Sequence, residues 1–104
     1  MKSPQSMERS FAVPETLGLE TRVEIRKAAF ELLDQMPEGA GRLVLDLSRT
    51  AEVDSAGLGV LMLIQRRAME RRQRVTLRNP NDEIRFLLTL TKLDDLFDLE
   101  SSFR

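Results

Sequence analysis

The sequence predicts an α/β fold: a single layer of about four short, mostly parallel strands packed by three to four helices. Three observations predict it. Apolar residues recur at helical spacing in three separate segments, short β-prone runs lie between and around them, and the two kinds alternate from strand to helix along the chain. Such alternation implies right-handed crossovers and a sheet packed by helices. The length, 104 residues, suits one domain, and a chain of that size buries about two thirds of its unfolded surface without metal or disulfide help.

Taken in order, residues 1–9 form a polar tail containing Pro and Ser, and the domain is expected to run over 10–104. "SFAV", Ser10 to Val13, is a short β-prone run that Pro14 limits to an edge strand. "PETLGLET" is a loop in which Thr16 or Thr21 helps to start a helix. That helix spans about Leu19 to Met36, with Ile25, Ala29, Leu32 and Met36 on one side and Glu24, Lys27, Glu31 and Asp34 opposite. Pro37 and Gly39 end it. "RLVLDLS", Arg42 to Ser48, is too short and too uniformly apolar for a surface helix and predicts a buried central strand. After the "RTAEVDSAGLG" connection comes a helix from about Ala56 to Arg72, apolar nearly all round at first and heavily charged at its end. "VTL" is a second short strand, and Asn81 or Asp82 caps a third helix presenting Ile84, Leu87, Leu88 and Leu90. "LDDLFDLE" turns into a last strand near Leu96 to Leu99, and Phe86 and Phe97 are assigned to the core.

Composition removes several functions. With no cysteine and no histidine, disulfides, thiol chemistry, Cys/His zinc sites and Ser-His or Cys-His nucleophiles are out of reach. Sixteen basic against 17 acidic residues give no overall pull toward nucleic acid or membrane. Five phenylalanines without tyrosine or tryptophan make a poor base-stacking platform. No signal peptide or membrane span is evident, so a cytoplasmic domain is expected. No phosphate-binding glycine loop is present, and no enzymatic role or cofactor is expected.

The stretch that asks for a function is "EVDSAGLG", Glu52 to Gly59, at the entrance to the most apolar helix. Asp54 and Ser55 are both good N-caps, and one is enough. The plain reading is that one of them caps and the glycines permit close packing. Yet Gly57 and Gly59 each cost about 1 kcal/mol relative to alanine inside a helix. Small residues after Ser55 also leave its hydroxyl bare, and a helix N-terminus carries partial positive charge and free amides that tolerate a phosphate. Ser55 is therefore well placed for phosphorylation without unfolding, on a contact surface whose charge can change.

"LVLDLSRTAEVDSAGLGVLMLIQRRA" resembles the core of STAS domains, in particular the bacterial anti-sigma factor antagonists: a buried strand ending in Asp-Leu-Ser, a short loop, then Asp-Ser-(Ser/Ala)-Gly-Leu-Gly entering a helix. "VTLRNPNDEIRFLLTLTKLDDLFDLE" is similar to the family's strand, Asn-Pro turn, helix and closing segment. The resemblance covers about residues 10–100 and implies a STAS-like fold. It also implies a phosphorylation-gated binding module. An anti-sigma factor with a GHKL-type ATP-binding fold phosphorylates the serine matching Ser55, and a PPM-type serine phosphatase reverses it. The unphosphorylated domain binds the kinase and frees a sigma factor or another regulated output. Glu52, Asp54, Ser55, Ala56, Gly57, Leu58 and Gly59 are the implied partner-binding residues, with any ATP or metal belonging to the partners. The N-terminal segment is shorter than in many members, the segment after the last strand is short for a full closing helix, and Ala56 leaves Ser55 as the one acceptor in the hexapeptide. The alternative is a non-phosphorylated STAS subunit of a transport system binding an ATPase or permease, against which the intact motif argues. A homodimer is left open.

Other features have plainer readings. "QRRAMERRQR", Gln65 to Arg74, is expected to be a solvated helix end whose arginines complement the helix dipole. Asp46 is expected to be structural, bonding loop amides near the Ser55 turn. Asp94, Asp95, Asp98 and Glu100 lack a glycine-centred loop at ligand spacing and are expected to form a solvated turn, not a metal site.

Overall fold

The computed structural model describes residues 7–101. Strands β1 (Glu8–Ala12), β3 (Arg42–Asp46), β5 (Arg74–Arg78) and β6 (Asp98–Glu100) form one sheet in the order β1-β3-β5-β6, with every neighbouring pair parallel. Helices α1 (Arg22–Gln35), α2 (Ser55–Glu70) and α3 (Asp82–Leu90) and a 3₁₀ turn at Leu93–Asp95 make the connections. The expected α/β layer, its strand count and its three helices are all present.

Side chains alternate across a strand, and this divides the sheet sharply. Leu43, Leu45, Val75 and Leu77 point to one face, where they join Ile25, Ala29 and Leu33 of α1 and Val60, Leu61, Ile64 and Ala68 of α2 in one buried cluster. The other face carries Arg42, Arg74 and Arg78, which pair with Glu8, Asp98 and Glu100 respectively. Val44 and Thr76 lie between these ion pairs in register and are themselves buried. Long arginine stems cover apolar surface while their heads stay wet. This is how a parallel sheet with helices on one face keeps its other face closed to water.

Several expected boundaries shift. The first strand starts at Glu8, inside the stretch assigned to a tail, because its backbone pairs with Arg42 and Leu43; residues 1–6 of that tail lie outside the described residues. The first helix begins at Arg22, three residues later than expected. Thr21 stands at its N-cap but caps nothing: its hydroxyl accepts from Gly18 N and donates to the Thr16 carbonyl. The segment assigned wholly to loop contains β2 (Thr16–Leu17), which pairs in parallel with β4 (Glu52–Val53), equally unexpected. Phe97 is buried, but Phe86 is 64% exposed and is no core residue, since the buried face of α3 is Ile84 and Leu88. Leu90, counted with that face, is exposed too.

At its C-terminal end α1 is held by a residue that periodicity does not single out. Gln73, buried ahead of β5, donates through Nε2 to the carbonyls of Leu33, Met36 and Pro37. Arg71 donates to the Met36 carbonyl and to Gln73 Oε1.

Candidate functional site at the start of helix α2

The short β2–β4 pair builds this site. It brings Leu17 and Gly18 against the first turn of α2, across more than thirty residues of sequence. Asp54 is the N-cap: Oδ1 accepts from Gly57 N at 2.9 Å, and Oδ2 accepts from Leu19 N at 3.1 Å. One carboxylate thus closes α2 and ties down the loop that leads into α1. The Gly57 amide, followed by the Leu19 amide, holds the Asp54 carboxyl below the ordinary carboxylate range.

Ser55 is the first helical residue and is exposed. Because Asp54 supplies the cap, the Ser55 hydroxyl is not needed for it. Gly57 is buried, and a Cβ there would stand 2.0 Å from the Leu17 carbonyl oxygen. It permits the backbones to meet, as the plain reading supposed. Gly18 has the same role from the other side, since its Cβ would lie 2.5 Å from an Asp54 carboxylate oxygen. Gly59 differs: nothing lies within 4 Å of the Cβ it lacks. It opens onto a shallow groove of about 460 Å³ lined by Met62, Leu63, Arg66, Met69 and Leu96. Leu58 is half-buried against the core, Ala56 is half-buried, and Glu52 is exposed on β4.

The seven residues Glu52, Asp54, Ser55, Ala56, Gly57, Leu58 and Gly59 are contiguous, but only some face outward. Glu52, Asp54 and Ser55 are exposed, Asp54 with its carboxylate bonded to the β2 loop; Gly57 is buried against that loop, and Gly59 bares the outer wall of α2. Leu19, 61% exposed beside the Asp54 contact, belongs to the same surface, as do Met62 and Leu63. Sequence reasoning missed Gly18 and Leu19, because their part is set by a contact with residue 54.

The remaining candidates settle into structure. Asp46 is structural, but it bonds a different turn from the one expected: its Oδ1 accepts from the amide and hydroxyl of Ser48. The Ser48 hydroxyl, then its amide, and the charge of Arg78 all lower its pKa. In the basic stretch, Arg67 pairs with Asp34 and lies over the Phe30 ring, and Arg71 caps α1. These two side chains turn onto α1, while Arg66, Glu70, Arg72 and Arg74 are exposed, as expected of a solvated helix end. Asp98 and Glu100 are held by Arg74 and Arg78. Among the described residues no acidic group is arranged to hold a metal, and no helix is long and apolar enough to cross a membrane.

A family model described as "Mlab, STAS domain" matches residues 12–99. No curated protein matches the chain. A candidate anti-sigma factor antagonist from Thermotoga maritima superposes with a TM-score of 0.74 at 23% identity, over 90% of this chain and 80% of that one. The anti-sigma factor antagonist SpoIIAA in its unphosphorylated form gives 0.65 at 18% identity, over 100% and 86%. A sulfate transporter family protein from Wolinella succinogenes gives 0.77 at 14% identity, over 95% and 80%. At these identities the structural likeness speaks for the fold.

Proposed function

This chain belongs to the STAS domain family, and on that premise we propose that it is a phosphorylation-gated protein-binding module with Ser55 as its switch. The unphosphorylated form binds a GHKL-type anti-sigma factor that is also its serine kinase, releasing a sigma factor or another regulated output. Phosphorylation of Ser55 breaks that complex, and a PPM-type phosphatase restores it. The observation that carries this reading is the exposed Ser55 hydroxyl on the first turn of a helix capped by Asp54.

The energetics suffice without refolding. A phosphoserine adds about −1.5 to −2 charges at neutral pH. It would join Asp54 and Glu52 on one short segment, and like charges placed together in a contact cost several kcal/mol. About 3 kcal/mol is already more than a hundredfold in affinity. Exposed Leu19, Met62 and Leu63 nearby supply the apolar part of the docking surface.

The test is phosphoryl transfer. The chain and its Ser55→Ala variant are incubated with ATP and each GHKL kinase of the source genome, then mapped by mass spectrometry. Phosphate on Ser55 is expected, with Ser55→Ala binding the kinase constitutively and Ser55→Glu binding it at least tenfold more weakly. Phosphate on another residue overturns the assignment. The similarity to a sulfate transporter family protein supports a second reading, a transport subunit that binds an ATPase or permease. That reading predicts no phosphoryl transfer and co-purification with transporter subunits.

A further inference from the structure

Beside the Ser55 segment, but on its other flank, β4 and α3 enclose a groove of about 570 Å³. Its apolar lining is Ala51, Val53, Ile84, Phe86 and Leu87, and its three charged residues, Glu52, Asp82 and Glu83, are all carboxylates. Four other acids, Glu8, Asp34, Asp98 and Glu100, are paired with arginines. Among the described residues none of the three groove carboxylates has an ion-pair partner. Asp82 and Glu83 have a local use at the positive end of α3. Glu52, on a different element, does not share it, and neither does the exposed ring of Phe86.

We infer that this groove is a docking site for a cationic amphipathic segment of another protein, with apolar side chains seated on Val53, Ile84 and Leu87 and lysines or arginines meeting Glu52, Asp82 and Glu83. The charge pattern decides the occupant. Nucleic acid and anionic membrane surfaces are repelled by a rim of one negative sign. A second copy joined by a two-fold axis would set carboxylates against carboxylates. A cation over the Phe86 face adds attraction that an acidic or neutral segment lacks.

The groove shares Glu52 with the kinase contact, but it is expected to respond to Ser55 with the opposite sign. Glu52 and Ser55 are three residues apart, so their Cα atoms lie within about 11 Å, comparable with the screening length of about 8–10 Å in physiological salt. Negative charge at Ser55 expels a partner that meets it in a tight contact, yet it strengthens the field that holds a cation in the groove. The phosphorylated form therefore keeps a partner of its own.

The experiment needs no kinase, so it can fail or succeed independently of phosphoryl transfer. A helical leucine–lysine peptide with its leucines on one face is titrated into the isotope-labelled chain, and amide shifts are mapped. A leucine–glutamate peptide of the same pattern is the control. The lysine peptide is expected to shift residues 51–53 and 83–87 and to lose affinity steeply with salt. Phe86→Ala and the double variant Glu52→Gln/Glu83→Gln each weaken it at least fivefold, and Ser55→Glu tightens it about twofold at low salt. Shifts mapping elsewhere, equal binding of both peptides, no binding at millimolar peptide, weakening by Ser55→Glu, or self-association through the groove would each overturn the proposal.

Discussion

At the scale of single residues, the two glycines of the α2 first turn make separable contributions. Gly57→Ala drives a methyl into the Leu17 carbonyl, a backbone atom with no rotamer to escape through. It is expected to destabilise by about 1–3 kcal/mol, the usual cost of overpacking. Gly59→Ala meets open space and is expected to stabilise by up to about 1 kcal/mol through helix propensity. Urea denaturation of the pair checks both signs, and equal effects would refute the division. Asp54→Asn separates its two bonds: an amide oxygen still accepts from Gly57, but the amide nitrogen cannot accept from Leu19. The folded Asp54 carboxyl titrates below its unfolded value, so the stability it contributes is full above about pH 4 and lost as pH falls through the folded value. The variant should therefore be less stable than the parent at pH 7 and converge on it in acid, measured by thermal midpoints from pH 7 to 2. A gap constant with pH would refute the assignment. Asp54 and Ser55 were legible in the sequence because a cap sits where a helix begins. Gly18 was not, because its reason is a carboxylate 36 positions away.

At the scale of elements, helices announce themselves by period, and β3 by its short apolar run, Leu43 to Leu45. β2 and β4 are two residues each, too short to show any period, and they exist because the chains on either side bring them together. Phe86 misled for a related reason. An aromatic next to Leu87 and Leu88 looks like core until the helix phase, set by Ile84 and Leu88, turns it outward. The end of α1 shows the same dependence on distant partners. Its last carbonyls are closed by Gln73, a polar residue that no helical pattern selects. Gln73→Ala should cost about 0.5–1.5 kcal/mol, because the Leu33, Met36 and Pro37 carbonyls each lose one donor but keep another, from Met36 N, Arg71 and Ala40 N respectively. Native-state hydrogen exchange should place the loosening at the C-terminal end of α1 and the start of β5, whereas a uniform loss across the sheet would contradict a local cap.

At the scale of the whole molecule, the question is whether a charge at Ser55 can act without disturbing the core. The sheet's apolar face is sealed by α1 and α2, while Ser55 stands outside that cluster at the helix mouth. An anion there gains about 0.3–1 kcal/mol from the helix dipole and loses a similar amount to Asp54 and Glu52 through water. The two nearly cancel, so a switch at this position acts on surface charge and leaves packing alone. Ser55→Glu should keep the parent's far-UV circular dichroism and its unfolding free energy within about 1 kcal/mol. Amide shifts should be confined to residues 17–20 and 52–60, and exchange protection of β3 and β5 should be unchanged. Loss of protection in those central strands would mean that charge reaches the core, and any partner release by such a variant would then report partial unfolding in place of electrostatic exclusion.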